Sequence, residues 1–105
     1  FKDEISYDDK AANKFLRPDV LPSIQLLIQT LQALDRFEEK DLEGAFLAVM
    51  EQTGLKLGKI AQPVRIALTG KTASPGIFEI IEILGKDRVI SRLKKAVDFI
   101  MEKSD

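Results

Sequence analysis

KLGKIAQPVRIALTGKTASPGIFEIIEILGKDRVISRLKK, residues 56–95, contains the helices and the loop on which the fold turns. Leu57, Ile60, Val64 and Leu68 recur at helical spacing and predict a helix over residues 58–69. Pro63 lies about a turn in and is expected to mark where that helix proper starts. Residues 70–73 are small or polar and predict a loop. Ser74 suits the cap of the next helix, because its hydroxyl accepts from free N–H groups of the first turn. Pro75 then takes the first helical position, where a missing N–H costs nothing. Gly76 leaves the backbone uncovered, so a ligand can approach closely. The expectation is an open helix N-terminus with unpaired donors and a positive dipole end, matched to acceptor oxygens of phosphate or of a base.

That second helix covers residues 75–84, with Ile77 or Phe78, Ile80, Ile81 and Leu84 inward, and Gly85 ends it. A further helix over residues 86–101 buries Val89, Leu93, Ala96, Val97 and Ile100. Arg88, Arg92 and Lys95 form a basic stripe beside it, at spacings of 4 and 3. Upstream, residues 1–7 read as an extended entry segment. Asp8 or Asp9 caps a short helix that Arg17-Pro18 ends. Asp19 is expected to cap a helix over residues 19–34, with Val20, Ile24, Leu27, Ile28, Leu31 and Leu34 along one stripe. A helix over residues 39–53 opens on an acidic turn that complements its dipole, and Gly54 follows its end. Gly44 inside it predicts a close helix crossing. No stretch alternates with period two long enough to make a strand, and no internal repeat is visible.

Charge is unevenly distributed. Residues 56–95 carry nine basic and three acidic side chains, a net of +6, within a chain whose total is −1. Residues 8–54 form an acidic helical half and residues 55–101 a basic one. A basic segment of this kind meets nucleic acid; a solvated surface is the plainer account of the same charges.

The 105 residues bound a single domain, with 45% hydrophobic and 31% charged residues, which is the composition of a globular chain. No apolar run approaches the ~20 residues of a membrane span. Cysteine and histidine are both absent, which excludes disulfides, thiolate metal sites and histidine-based acid–base chemistry. Glu79 and Glu82 share a helix face, but nothing nearby would raise one carboxyl selectively, as general acid–base catalysis needs. Gly70-Lys71-Thr72 looks like the end of a phosphate-binding loop, yet Arg65 stands where that motif requires its first glycine. RNA recognition fits better. Arg65 lies off the centre of the apolar stripe, beside Gln62 and Thr69, and offers a planar fork of donors. Ser74 offers a hydroxyl, the N–H groups after Pro75 fixed donors, and Ile77 an apolar surface for a base or ribose. The competing account is that Arg65 pairs with a carboxylate and that Ser74-Pro75 merely start a helix.

The run LGKIAQPVRIALTGKTASPGIFEIIEILGKDRVISRL resembles the C-terminal anticodon-binding domain of bacterial-type glutamyl-tRNA synthetases. The family pattern is roughly L-G-K-x-x-Q-P-[LV]-R-x-A-[LI]-T-G, then [ST]-P, then L-G-x-x-x-x-x-x-R-L. The match is dense over residues 57–93 and thinner over residues 7–34 and 37–53. The resemblance implies an all-α fold, a compact right-handed helical cage or orthogonal bundle of about six helices. It also implies that Arg65, Ser74, Pro75 and Ile77 contact the middle and third anticodon bases of tRNA(Glu). Ser74 and Ile77 stand where the family often has threonine and leucine. Lys59, Lys71, Arg88, Arg92 and Lys95 are then expected on the RNA backbone. The resemblance further implies a cytoplasmic monomer and a chain that is the C-terminal part of a longer synthetase, packed against its upstream domains. There a Rossmann-type domain binds glutamate, ATP and Mg²⁺ through motifs absent from these residues, and a residue reading the third base also lies upstream. The alternatives are the equivalent domain of a class I lysyl-tRNA synthetase and a helical protein–protein adaptor, which a large exposed apolar patch would favour.

Overall fold

Proline 18 cannot continue a helix, and the chain turns there. In the computed structural model, which describes residues 9–70 and 76–104, the first helix, α1, spans Asp9–Phe15. A single 3-10 turn over Pro18–Val20 follows, and α2 spans Leu21–Gln32. Asp19 therefore lies inside the 3-10 turn and does not cap α2. Val20 holds the cap position without a side-chain bond, and Pro22 sits in the first turn of α2, where its missing N–H costs no helix bond. The expected end at residue 34 is also two residues late: Leu34 N–H turns back to the Leu31 carbonyl at 3.1 Å.

Helix α3 spans Glu39–Thr53 and opens on a capping box, in which the Glu38 N–H donates to the Asp41 carboxylate at 3.3 Å. It closes at Gly54, whose φ of 75° is the left-handed conformation that a Cβ disfavours. Gly44 marks no crossing. It is exposed, and a methyl built on it would meet nothing within 4 Å. Helix α4 spans Leu57–Thr69 and runs straight through Pro63, so the proline is interior and does not mark the start. The helix forms despite the lost N–H because Ile60, Ala61, Pro63, Val64, Ile66, Ala67 and Leu68 are all buried. Leu57, expected inward, is 38% exposed. Helix α5 spans Ile77–Leu84 with Gly76 at its cap; the expected cap at Ser74 and the first-turn Pro75 lie outside the described residues. Helix α6 spans Lys86–Ser104, about a turn longer at its C-terminus than its apolar stripe requires.

Six α-helices and no strand among the described residues make the all-α fold expected of the sequence. Its core runs through Leu27 and Leu31 of α2, Leu42, Phe46 and Val49 of α3, Ile60, Val64 and Leu68 of α4, Ile81 of α5, and Val89, Leu93, Ala96 and Ile100 of α6. Phe46 and Phe78 meet edge to face, ring centres 5.3 Å apart at 90°, and pin α5 to α3. Helix α2 lies against both α3 and α6, and α4 against α6 and α1. The radius of gyration of 12.6 Å is that of a compact domain of this length, about 13 Å.

Candidate nucleic-acid interface

The last two turns of α4 place Gln62, Arg65 and Thr69 on one face, within about 100° of arc at 100° per residue. All three are half-buried. The Thr69 hydroxyl donates to the Arg65 carbonyl at 2.7 Å, so this turn is tied to itself as it approaches Gly70. Gly70 ends α4 at φ 82°, its N–H bonded to the Ile66 carbonyl at 2.8 Å. Two polar atoms on this face are left over. Arg65 Nε and Gln62 Oε1 are shielded from solvent and have no hydrogen-bond partner among the described residues. Nor does Arg65 form an ion pair among them, as the purely structural account of it required. A shielded donor and a shielded acceptor on one helix face, neither with a partner among the described residues, are uncommon in a packed domain. Gln62 was placed by sequence only as a neighbour of Arg65; its leftover oxygen becomes apparent once the packing is known.

The other sequence-derived positions are scattered. Lys71, Ser74 and Pro75 lie outside the described residues. Ile77 is 4% exposed and stacks with Ile80 and Ile81 in the core, because those three positions form one helical stripe. Its side chain does not present the free apolar surface expected of it. Lys59 and Lys95 are exposed; Arg88 is half-buried and engaged. Lys95 shares a shallow depression with Lys86, Lys94, Asp87 and Asp98, which leaves that spot with a small net positive charge.

Arg92 is the clearest correction. It is 8% exposed, and its Nη1 donates to the Leu68 carbonyl at 2.6 Å. That carbonyl is among the last four of α4, which lack helix partners, and a cation suits that end of the dipole. Arg92 is thus buried against α4 and not on the basic surface where the stripe with Arg88 and Lys95 put it. The signal was present in the sequence: Arg92 lies three residues after Val89 and four before Ala96, inside the core spacing. Lys86 behaves similarly. Its ammonium donates to the Gln32 carbonyl at 3.0 Å and the Leu34 carbonyl at 2.8 Å, closing the end of α2. At least two of the nine cations in residues 56–95 are therefore bonded to backbone carbonyls of other helices and are not free surface charge.

An apolar groove of about 270 Å³ lies between α3, α4 and α5, lined by Phe46, Leu47, Met50, Leu57 and Phe78 with Glu43 at its rim. Leu47 is 54% exposed there. Among the described residues no helix is long and apolar enough to cross a membrane, and no group of acidic, histidine or cysteine side chains could hold a metal ion.

Comparison with known proteins gives a consistent result. The family model of the anticodon binding domain matches residues 1–97. The chain is 52% identical over 104 residues to a glutamate–tRNA ligase of Desulfosudis oleivorans, covering 99% of this chain and 22% of that one. It is 52% identical over 98 residues to a glutamate–tRNA ligase of Syntrophobacter fumaroxidans, covering 93% of this chain and 21% of that one. Among solved structures, a glutamate tRNA ligase from Elizabethkingia meningosepticum, crystallised with its amino acid, superposes with a TM-score of 0.83 at 30% identity. That match covers 90% of this chain and 19% of the other. The chain spans about a fifth of the length of these relatives.

Proposed function

This chain belongs to the anticodon binding domain family, and on that premise we propose that it reads the anticodon of tRNA(Glu) on behalf of a glutamate–tRNA ligase. The observation that carries the reading is the half-buried Arg65 guanidinium, which no described residue engages and which shares a polar face of α4 with Gln62 and Thr69. The shielded Nε and Oε1 are themselves out of a ligand's reach, so a base edge is met by the Nη donors of the half-buried Arg65. Arg65 is assigned to a base edge. Ser74 and Pro75 are assigned to the same base pocket; Ile77, expected to supply it with an apolar surface, is buried and is assigned instead to holding the start of α5 beside it. Lys59, Lys71, Arg88 and Lys95 are assigned to the RNA backbone; Arg92 leaves that set because its guanidinium is occupied.

In this reading the remainder of the synthetase binds glutamate, ATP and Mg²⁺ and carries out the ligation, in the cytoplasm and as a monomer. This chain contributes the choice of tRNA. The alternative of a lysyl-tRNA synthetase has no support in the relatives named above, and the adaptor reading rests on the α3–α5 groove alone.

The test is on both partners. Changing the middle anticodon base from U to C turns a keto oxygen into an amino group and removes the N3 hydrogen. The full-length enzyme is expected to prefer the U-bearing tRNA, and Arg65→Ala to lose about 1–3 kcal/mol of that preference. Equal loss of affinity for both tRNAs would make Arg65 a phosphate contact, and unfolding would make it structural.

A further inference from the structure

We propose that Arg92 is a positioning residue for base reading: it holds the last turn of α4, and with it the guanidinium of Arg65, through the carbonyl of Leu68. This deepens the function proposed above and rests on it.

Arg92 is 8% exposed and makes one hydrogen bond among the described residues, to the Leu68 carbonyl at 2.6 Å; its Nε is shielded and unpartnered. It forms no ion pair among them. A buried guanidinium without a counter-ion is a poor device for stability, since an apolar side chain of similar volume commonly serves as well or better. What an apolar side chain cannot supply is direction. Ile66 and Leu68, both fully buried, hold α4 against its neighbours. That close packing already opposes a gross rotation of α4, but it places no single atom of its last turn. The Arg92 bond is directional and joins α6 to α4 across 24 residues of sequence.

Its point of attachment matters. Leu68 lies one turn after Arg65, and its neighbour Thr69 returns a hydroxyl bond to the Arg65 carbonyl at 2.7 Å. The tie from α6 therefore ends in the turn that carries the base-reading side chain. Reading a base requires placement within a few tenths of an ångström, and errors near 1 Å cost on the order of 100-fold where geometry governs.

The experiment uses the full-length synthetase. It measures kcat and KM for tRNA bearing U or C at the middle anticodon position, in wild type, Arg65→Ala, Arg92→Met, Arg92→Lys and the double variant Arg65→Ala/Arg92→Met. Arg92→Met is expected to raise KM for the U-bearing tRNA roughly tenfold, leave kcat at saturating tRNA unchanged, and narrow the gap between the two tRNAs. Arg92→Lys, which returns a cationic donor to the Leu68 carbonyl, is expected to recover most of that gap. The double variant is expected to read no worse than Arg65→Ala alone, because both act through one guanidinium. A lowered melting temperature with KM and the U–C gap intact would show a purely structural arginine and overturn the proposal. So would losses that multiply in the double variant. If Arg92→Met does not fold, Arg92→Gln replaces it, and an unchanged KM there is equally decisive against. Failure of the underlying function has its own signature: Arg65→Ala then leaves the U–C gap intact, and this proposal falls with it. A gap sensitive to Arg65 but not to Arg92 refutes the positioning role alone.

Discussion

Replacing Gly44 by alanine sets two physical readings against each other. A glycine inside a helix suggests a tight crossing, where an added methyl would force the neighbour away and destabilise the fold. The structure gives the opposite sign. Gly44 lies in the middle of α3 on its exposed side, and a Cβ there meets nothing within 4 Å. What remains is intrinsic propensity: alanine is favoured over glycine in an exposed helix interior by about 0.8–1.0 kcal/mol, chiefly through the smaller backbone entropy of the unfolded chain. For a domain of about 100 residues, 1 kcal/mol corresponds to roughly 4–8 °C in melting temperature. Gly44→Ala is therefore expected to raise the melting temperature by about 3–8 °C, with an unchanged urea m-value. Gly54→Ala is the internal control. It too has open space around the new methyl, but its φ of 75° is hostile to a side chain, so it is expected to destabilise by about 1 kcal/mol. Thermal melts monitored by circular dichroism decide the matter. A lower melting temperature for Gly44→Ala would mean that the methyl does meet a neighbour, and the argument from open space would fail.

Lys86→Met removes both donors that close α2 and is expected to cost about 1–2 kcal/mol, read by denaturant unfolding. Lys94→Met, on the same helix but with an exposed side chain, serves as the comparison and is expected to change stability by less than about 0.5 kcal/mol. Phe46→Ala removes a fully buried ring and its edge-to-face partner contact and is expected to cost about 3–5 kcal/mol, enough to leave the chain largely unfolded in a melt. Binding of tRNA is expected to weaken with salt, with log K against log salt sloping by about −0.7 per single-strand phosphate neutralised; a flat salt titration would refute backbone contacts by the exposed lysines.

What could be read from the sequence were the features that repeat. Helices α2 and α3 follow from stripes of Ile24, Leu27 and Leu31 and of Leu42, Phe46 and Val49, whose spacing alone fixes their inward faces. The placement of Arg65 at the shoulder of the α4 stripe also followed from spacing. Features that depend on a single long-range partner were less accessible. Arg92 and Lys86 look like surface charge until the free carbonyls of α4 and α2 are seen beside them. Ile77 illustrates the converse, since its stripe with Ile80 and Ile81 was legible and outweighed its assignment to a ligand. Pro63 and Asp19 were misread for a shared reason. Local rules place a proline at a helix start and an aspartate at a cap, but tertiary burial carries α4 through the first, and the 3-10 turn at Pro18 takes in the second.

The clamp of Lys86 on the end of α2 also constrains how the chain is made. At about 5–20 residues per second, the 54 residues between Gln32 and Lys86 take roughly 3–10 s to leave the ribosome's catalytic centre. Through that interval α2 exists without α6, the helix that covers one flank of its apolar stripe and satisfies its terminal carbonyls. The nascent chain therefore carries a sticky helix whose cover is translated later. A message truncated between the codons for Gln32 and Lys86 yields a product that neither completes its core nor hides it, and such a product is a natural substrate for chaperones and proteases.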